Sequence, residues 1–168
     1  MPFELPDNLH PDCGPVAWLL GTWQGSGHGD YPTIEAYTFG QELIFTHDGR
    51  PFFHYMSRAW ITDADGAKVR DAAIETGFLR CLPEGRVEFL LTHNTGFVEI
   101  WHGTAEGGKL ELTTDAVART ETAKEYVGGK RLYGNVEGDL LYAFDMAAMG
   151  QALQPHTWAR LQRATREG

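Results

Sequence analysis

Gly21-Thr22-Trp23-Gln24-Gly25-Ser26-Gly27 opens a stretch that runs on through Tyr31-Pro32-Thr33 to Phe45, and its reading decides the fold. The opening has the form G-x-W-x-G-x-G. Glycine carries no Cβ, so glycines at this spacing let a strand bend sharply or let another backbone come close. The indole of Trp23 offers a large apolar surface that can plug a core. Tyr31-Pro32-Thr33 then stops the strand and turns the chain. In the strand that follows, Tyr37, Phe39, Leu43 and Phe45 share one parity. A bent, tryptophan-plugged strand handing over to a long aromatic strand is how small closed barrels begin.

Working outward, residues 1–14 are rich in Pro, Asp and Asn and read as an irregular lead. Val16, Leu19 and Leu20 sit at helical spacing, which predicts a short turn able to cap one barrel end. Downstream the pattern is β throughout, with turn signals at Asp48-Gly49, Asp63-Ala64-Asp65-Gly66, Pro83-Glu84-Gly85, Asn94-Thr95-Gly96, Glu106-Gly107-Gly108 and Glu137-Gly138-Asp139. Val87, Phe89 and Leu91 share a face while Arg86 and Glu88 point away, the alternation of a half-buried strand. Residues 118–125 fit neither template. The count is about ten short strands joined by hairpin-length turns. With no strand–helix alternation there is no case for a parallel sheet. An all-β, up-and-down antiparallel barrel over residues 15–165 is expected, and a sandwich of similar strand count fits the pattern alone.

The chain has 168 residues, enough for one domain with a sizeable core. Its formal net charge of −9 argues against a nucleic-acid or anionic-membrane partner. No run approaches the roughly 18 apolar residues of a membrane helix, and the N-terminus lacks a basic and apolar leader pattern. A soluble, cytoplasmic protein is expected. Cys13 and Cys81 form no C-x-x-C pair and read as free thiols.

Seven histidines need sorting. His10 lies in the lead, His28 at the end of the first strand and His47 in a turn. His54 reads as a hydrogen-bonded wall residue, and His93 and His102 flank strand ends. No two have H-x-H or H-x-x-x-H spacing, so zinc is not supported. There is no G-x-S-x-G nucleophile motif. The carboxylates are scattered and read mostly as outward-facing or in turns. His156 opens the last strand after Pro155 and shares parity with Trp158 and Arg160. Spacing alone leaves both readings open, a strand-start residue and a ligand.

The chain resembles the nitrobindin family of haem-binding β-barrels, a barrel also found as a domain of THAP-type proteins. Gly21, Trp23, Gly25 and Gly27 with Tyr31-Pro32-Thr33 carry the first part of the resemblance. Thr76-Gly77-Phe78-Leu79-Arg80, Asn94-Thr95-Gly96-Phe97-Val98-Glu99 and Ala123-Lys124-Glu125 fit in order, and Met146-Ala147-Ala148-Met149-Gly150-Gln151 leads to Pro155-His156. Thr157 departs from the leucine of the family pattern. The resemblance implies a ten-stranded barrel holding one ferric haem b per chain. It implies His156 as the axial iron ligand and sole catalytic residue, with Thr33 and Lys124 as further haem contacts. The implied activity is isomerisation of peroxynitrite to nitrate, with nitric oxide as a second small ligand; a homodimer is left open. Phe39, Phe45, Met56, Phe89, Trp101, Met146 and Met149 are expected wall residues. A neutral imidazole suits haem iron and leaves the opposite face open.

A second class stays open on the strand pattern. A small barrel with an aromatic interior can carry a fatty acid or other apolar ligand, as lipocalins do. A haem or nitric-oxide sensor would share the site without turnover.

Overall fold

Burial alternates along most of the strands, and a sheet with one apolar face can hide that face by closing on itself. The structure, a computed structural model, describes residues 3–164. Ten antiparallel strands make one closed barrel. They are β1 (Gly21–Tyr31), β2 (Ile34–Thr46), β3 (Phe52–Thr62), β4 (Lys68–Cys81), β5 (Arg86–His93), β6 (Phe97–Glu106), β7 (Lys109–Arg119), β8 (Tyr126–Val136), β9 (Asp139–Ala148) and β10 (Gln154–Arg163). Each strand pairs with its sequence neighbours, and β10 returns to pair with β1. That closure settles the barrel over the sandwich.

A 3₁₀ helix, Pro11–Leu19, plugs the lower end. Pro15 lies inside it and carries no N–H, so an α-helical ladder cannot run through. The helix begins earlier than the sequence pattern suggests and takes in residues 11–14 of the expected lead, because the wholly buried Cys13 packs into the core. Trp23 explains its place in the opening motif: its indole Nε1 donates to the Leu19 carbonyl at 2.8 Å. Arg163 from β10 lies 4.1 Å over the Trp23 ring and donates to the carbonyls of Trp18 and Leu20. The plug is thus bound to the first and last strands together.

The glycines of β1 serve the β1–β10 seam. Gly25 pairs with Leu161 and Gly27 with Ala159. A Cβ on Gly25 would run into the Arg160 carbonyl oxygen, and one on Gly27 into that of Trp158. Close approach of the β10 backbone, not a left-handed dihedral, demands glycine here.

On β2 the buried parity includes Phe39, Gln41, Leu43 and Phe45, as the aromatic spacing predicts. On β3 it belongs to Phe53, Tyr55 and Ser57. Met56 therefore faces outward and is not a wall residue. Phe45, Phe89 and Trp101, also expected on the wall, belong to the large packed core above the plug. β8 starts at Tyr126, whose side chain is buried on the inner face. A second, smaller core surrounds Tyr31, Tyr126 and Ala148 near the other end. None of the described helices is long and apolar enough to cross a membrane.

Candidate functional site

The end opposite the plug is hollow. A cavity of about 1020 Å³ lies among the β1–β2, β5–β6, β7–β8 and β9–β10 turns. Its lining includes Thr33, Lys124 and His156, which the sequence places on three separate segments. Phe39, Met146 and Met149 also line it, as expected. Gly21, Trp23, Gly25 and Gly27 do not; the motif holds the plug and the seam beneath.

His156 reaches the cavity through a break in register. Pro155 pairs with Asp145 and Thr157 with Phe144, so His156 is the extra, unpaired residue of a β-bulge. Bulges re-aim side chains. Here the bulge matters because strict alternation would place His156 with Trp158 and Arg160, both of which are exposed. With the bulge, His156 and Thr157 both line the cavity. A second irregularity in β1, between Gly29 and Tyr31, lies opposite. The Asp30 carbonyl faces His156 Nδ1 at 3.1 Å. A carbonyl can only accept, so Nδ1 carries the proton and the lone pair is on Nε2. Tyr31 and Phe144 meet the imidazole edge-on at 5.4 and 5.8 Å. Burial pulls the His156 imidazole below its ordinary value of 6.5, opposed by the Asp30 carbonyl. A neutral ring with a free Nε2 is the form that ligates a metal.

The cavity also contains a sealed cluster of charge that sequence reasoning missed. Arg131 grips Glu75 with both terminal nitrogens, at 2.6 and 2.9 Å. His93 lies between two carboxylates, with Nδ1 3.3 Å from Glu75 and Nε2 2.9 Å from Glu99. Tyr55 donates to Glu75 at 2.6 Å and Tyr126 to Glu99 at 2.7 Å. The side chains of Arg131, Glu99 and His93 are 2%, 0% and 8% exposed. Burial alone would raise the Glu75 carboxyl. The Arg131 guanidinium more than offsets this, and the carboxyl is held at about 2. Glu75 and Glu99 thus correct the expectation that the carboxylates face outward, and His93 is more than a strand-end residue. The signal was parity: Glu75 alternates with Leu79 and Cys81, and Glu99 with Trp101.

The remaining histidines stay outside this chemistry. His54 bonds Thr76 at 3.1 Å, His28 stacks on Trp158 and His47 accepts from the Gly49 N–H in its turn. Cys13 and Cys81 are free thiols.

Residues 12–163 match the model of the THAP4-like, heme-binding beta-barrel domain. The chain belongs to the nitrobindin family. It is 80% identical over 163 residues to a peroxynitrite isomerase of Nocardioides sp. (strain ATCC BAA-499 / JS614), covering 97% of this chain and 99% of that one. It is 45% identical to a ferric nitrobindin-like protein of Cutibacterium acnes, over 98% of this chain and all of that one. Among solved structures, the Rv2717c protein of M. tuberculosis superposes with a TM-score of 0.83 at 36% identity, over 94% of this chain and 99% of that one.

The nitrobindin cavity has the donor set that haem requires. His156 offers one unprotonated imidazole nitrogen. Phe39, Phe144, Met146 and Ala148 give apolar walls, and Lys124 and Arg70 stand at the mouth within reach of solvent. No group of three His, Cys, Asp or Glu among the described residues forms a metal cage. A flat prosthetic group held by one imidazole suits these residues better than a bare ion.

Proposed function

We propose that this nitrobindin-family barrel is a ferric haem b isomerase that converts peroxynitrite to nitrate, one haem per chain, with nitric oxide as a second ligand of the same site. The observation that carries the reading is the bulge-borne His156, its Nδ1 tied to the Asp30 carbonyl and its Nε2 free inside the cavity. The 80% identity to a protein named for this activity supports it. Bound haem supplies a ferric centre that rearranges the oxygen atoms of peroxynitrite with no net electron transfer. The chain's own residues bind and orient. His156 would hold the haem iron through Nε2 and serve as the catalytic residue, Asp30 holds its tautomer, and Tyr31 and Phe144 keep its plane. Phe39, Met146 and Ala148 exclude water from the slot. Lys124 at the mouth would pair a haem carboxylate, and Thr33 would be a further haem contact. The setting in the cytoplasm rests on the sequence expectation.

The rival reading, a fatty-acid carrier, meets an obstacle in the cluster. Among the described residues, the deeply buried cation lining the cavity, Arg131, is already held by Glu75 in a two-bond grip, with Glu99 nearby. A lipid carboxylate there would meet two carboxylates and no free cation.

The test is hemin titration followed by absorption. The parent binds one equivalent with a single-histidine ferric spectrum. His156→Ala loses that spectrum and its isomerisation falls to the level of free hemin; added imidazole restores part of the spectrum. His54→Ala, on the outer face, is the control and changes neither. An unaltered spectrum and turnover in His156→Ala overturns the assignment.

A further inference from the structure

The ligand site makes no use of Glu75, His93, Glu99 and Arg131, yet all four line the same cavity as His156. Resting on the haem reading above, we propose that this cluster holds the haem iron in its ferric state, with His93 as the variable charge. Isomerisation runs on ferric iron, so groups that disfavour reduction serve the reaction.

The argument is one of charge and place. Glu75 and Arg131 cancel in a two-bond ion pair. Glu99 is left, sealed from solvent, with one neutral donor, the Tyr126 hydroxyl. Its charged partners are His93 at 2.9 Å and, more distantly, Arg131 at 3.9 Å, and both ring nitrogens of His93 face carboxylates. A ring with two N–H groups satisfies both and brings the cluster to zero. A ring with one leaves a lone pair against a carboxylate and a net charge of −1. Ferric iron carries one more positive charge than ferrous, so the −1 state favours ferric iron.

The cluster is close enough to act. The Arg131 guanidinium lies 5.0 Å over the Phe144 ring, and Phe144 meets the His156 ring at 5.8 Å. Arg131 pairs with Phe144, and Phe144 with Thr157, so β8 is two strands from the ligand, about 10 Å at ~4.8 Å per strand. Across a buried, weakly screened path, charges at that range still interact. Glu75 faces His93 from β4, Glu99 from β6, and Tyr126 and Arg131 from β8. Tyr55, Tyr133 and Tyr142 complete the ring around Glu75 and Arg131 from β3, β8 and β9. Burial raises all four phenols, so they remain neutral. Arg70, Asp71, Lys124 and Glu125 line the mouth and are exposed, where solvent screens them.

The test is the midpoint potential of the haem-loaded protein as a function of pH. In the parent the midpoint falls as pH rises, because loss of the His93 proton adds a negative charge. His93→Gln cannot take up the proton and leaves the cluster at −1 throughout, so its midpoint stays at the parent's high-pH value and the dependence is lost. Retention of the parent's slope in His93→Gln overturns the proposal. Tyr126→Phe is milder and leaves Glu99 dependent on the His93 proton, so the slope moves to higher pH; an unmoved slope also counts against it. The cluster is read separately in haem-free protein by ¹⁵N NMR of the His93 ring. Two ring N–H groups giving way to one as pH rises is expected. A single neutral tautomer across the whole folded range rejects His93 as the variable charge. A parent that binds no hemin defeats the haem reading instead, which keeps the two failures distinct.

Discussion

At the scale of single residues, His156 depends on the side chains packed against it. Tyr31 is the main one. Its hydroxyl accepts from the Ala148 N–H at 3.0 Å and lies 3.0 Å from the Met146 carbonyl, while its ring edge holds the imidazole. Tyr31→Phe keeps the ring and removes the hydroxyl. The buried Ala148 N–H is then unpaired, at a cost of about 1–3 kcal/mol. For a chain of this size that lowers the melting temperature by roughly 2–4 °C per kcal/mol. The upper end of β9 loosens as well, so hemin dissociates faster from Tyr31→Phe than from the parent. A melt and an off-rate both equal to the parent's would show that the hydroxyl holds nothing in place.

At the scale of elements, the barrel's two ends have separate jobs joined by the β1–β10 seam. Gly25 is where the two backbones press closest to the plug. Gly25→Val drives a branched side chain into the Arg160 carbonyl and the Leu161 side chain. Overpacking of this kind costs about 1–3 kcal/mol. Ser26→Val, one residue on and exposed, is the matched control. Thermal melts should separate the two variants clearly; equal melts would remove the close-approach argument. The plug gives the complementary test. Trp23→Ala empties a wholly buried site and breaks the bond to Leu19, a loss of about 3–5 kcal/mol. The hollow lies at the other end, so what remains folded should still give the parent's hemin spectrum. A changed iron spectrum in folded Trp23→Ala would mean that the ends are coupled.

At the scale of the whole molecule, the sealed cluster makes stability depend on acid. The folded-state value of Glu75, about 2, lies below its ordinary value of 4.5. Its stabilisation is therefore complete above about pH 4.5 and is lost as pH falls towards 2. A shift of that size corresponds to about 3 kcal/mol. Urea unfolding between pH 5 and pH 2 should show the parent losing stability through this window. Glu75→Gln should be weaker at pH 5, because Arg131 is left buried without its partner, and should lose less on acidification. Equal acid sensitivity in the two would remove Glu75 as the cause.

The sequence by itself determined an all-β chain of about ten antiparallel strands. The aromatic parity of β2, the turn signals and the G-x-W-x-G-x-G opening are local properties of the chain. Alternation with period two and glycine's missing Cβ act wherever the strand pairs. The closure of β10 on β1 decided between barrel and sandwich, because strand count alone is the same for both. His156 as the proposed ligand was legible only through a resemblance of segments, since parity groups it with Trp158 and Arg160, which the structure leaves exposed. One unpaired residue between Pro155 and Thr157 turned it inward, and bulges leave little mark on residue type. The buried cluster was the least legible of all. Glu75, His93, Glu99 and Arg131 lie on four different strands, and each alone reads as an ordinary surface residue. Only tertiary structure brings them together, because a buried charge is tolerated when its partners are at hand, and here those partners come from distant parts of the chain.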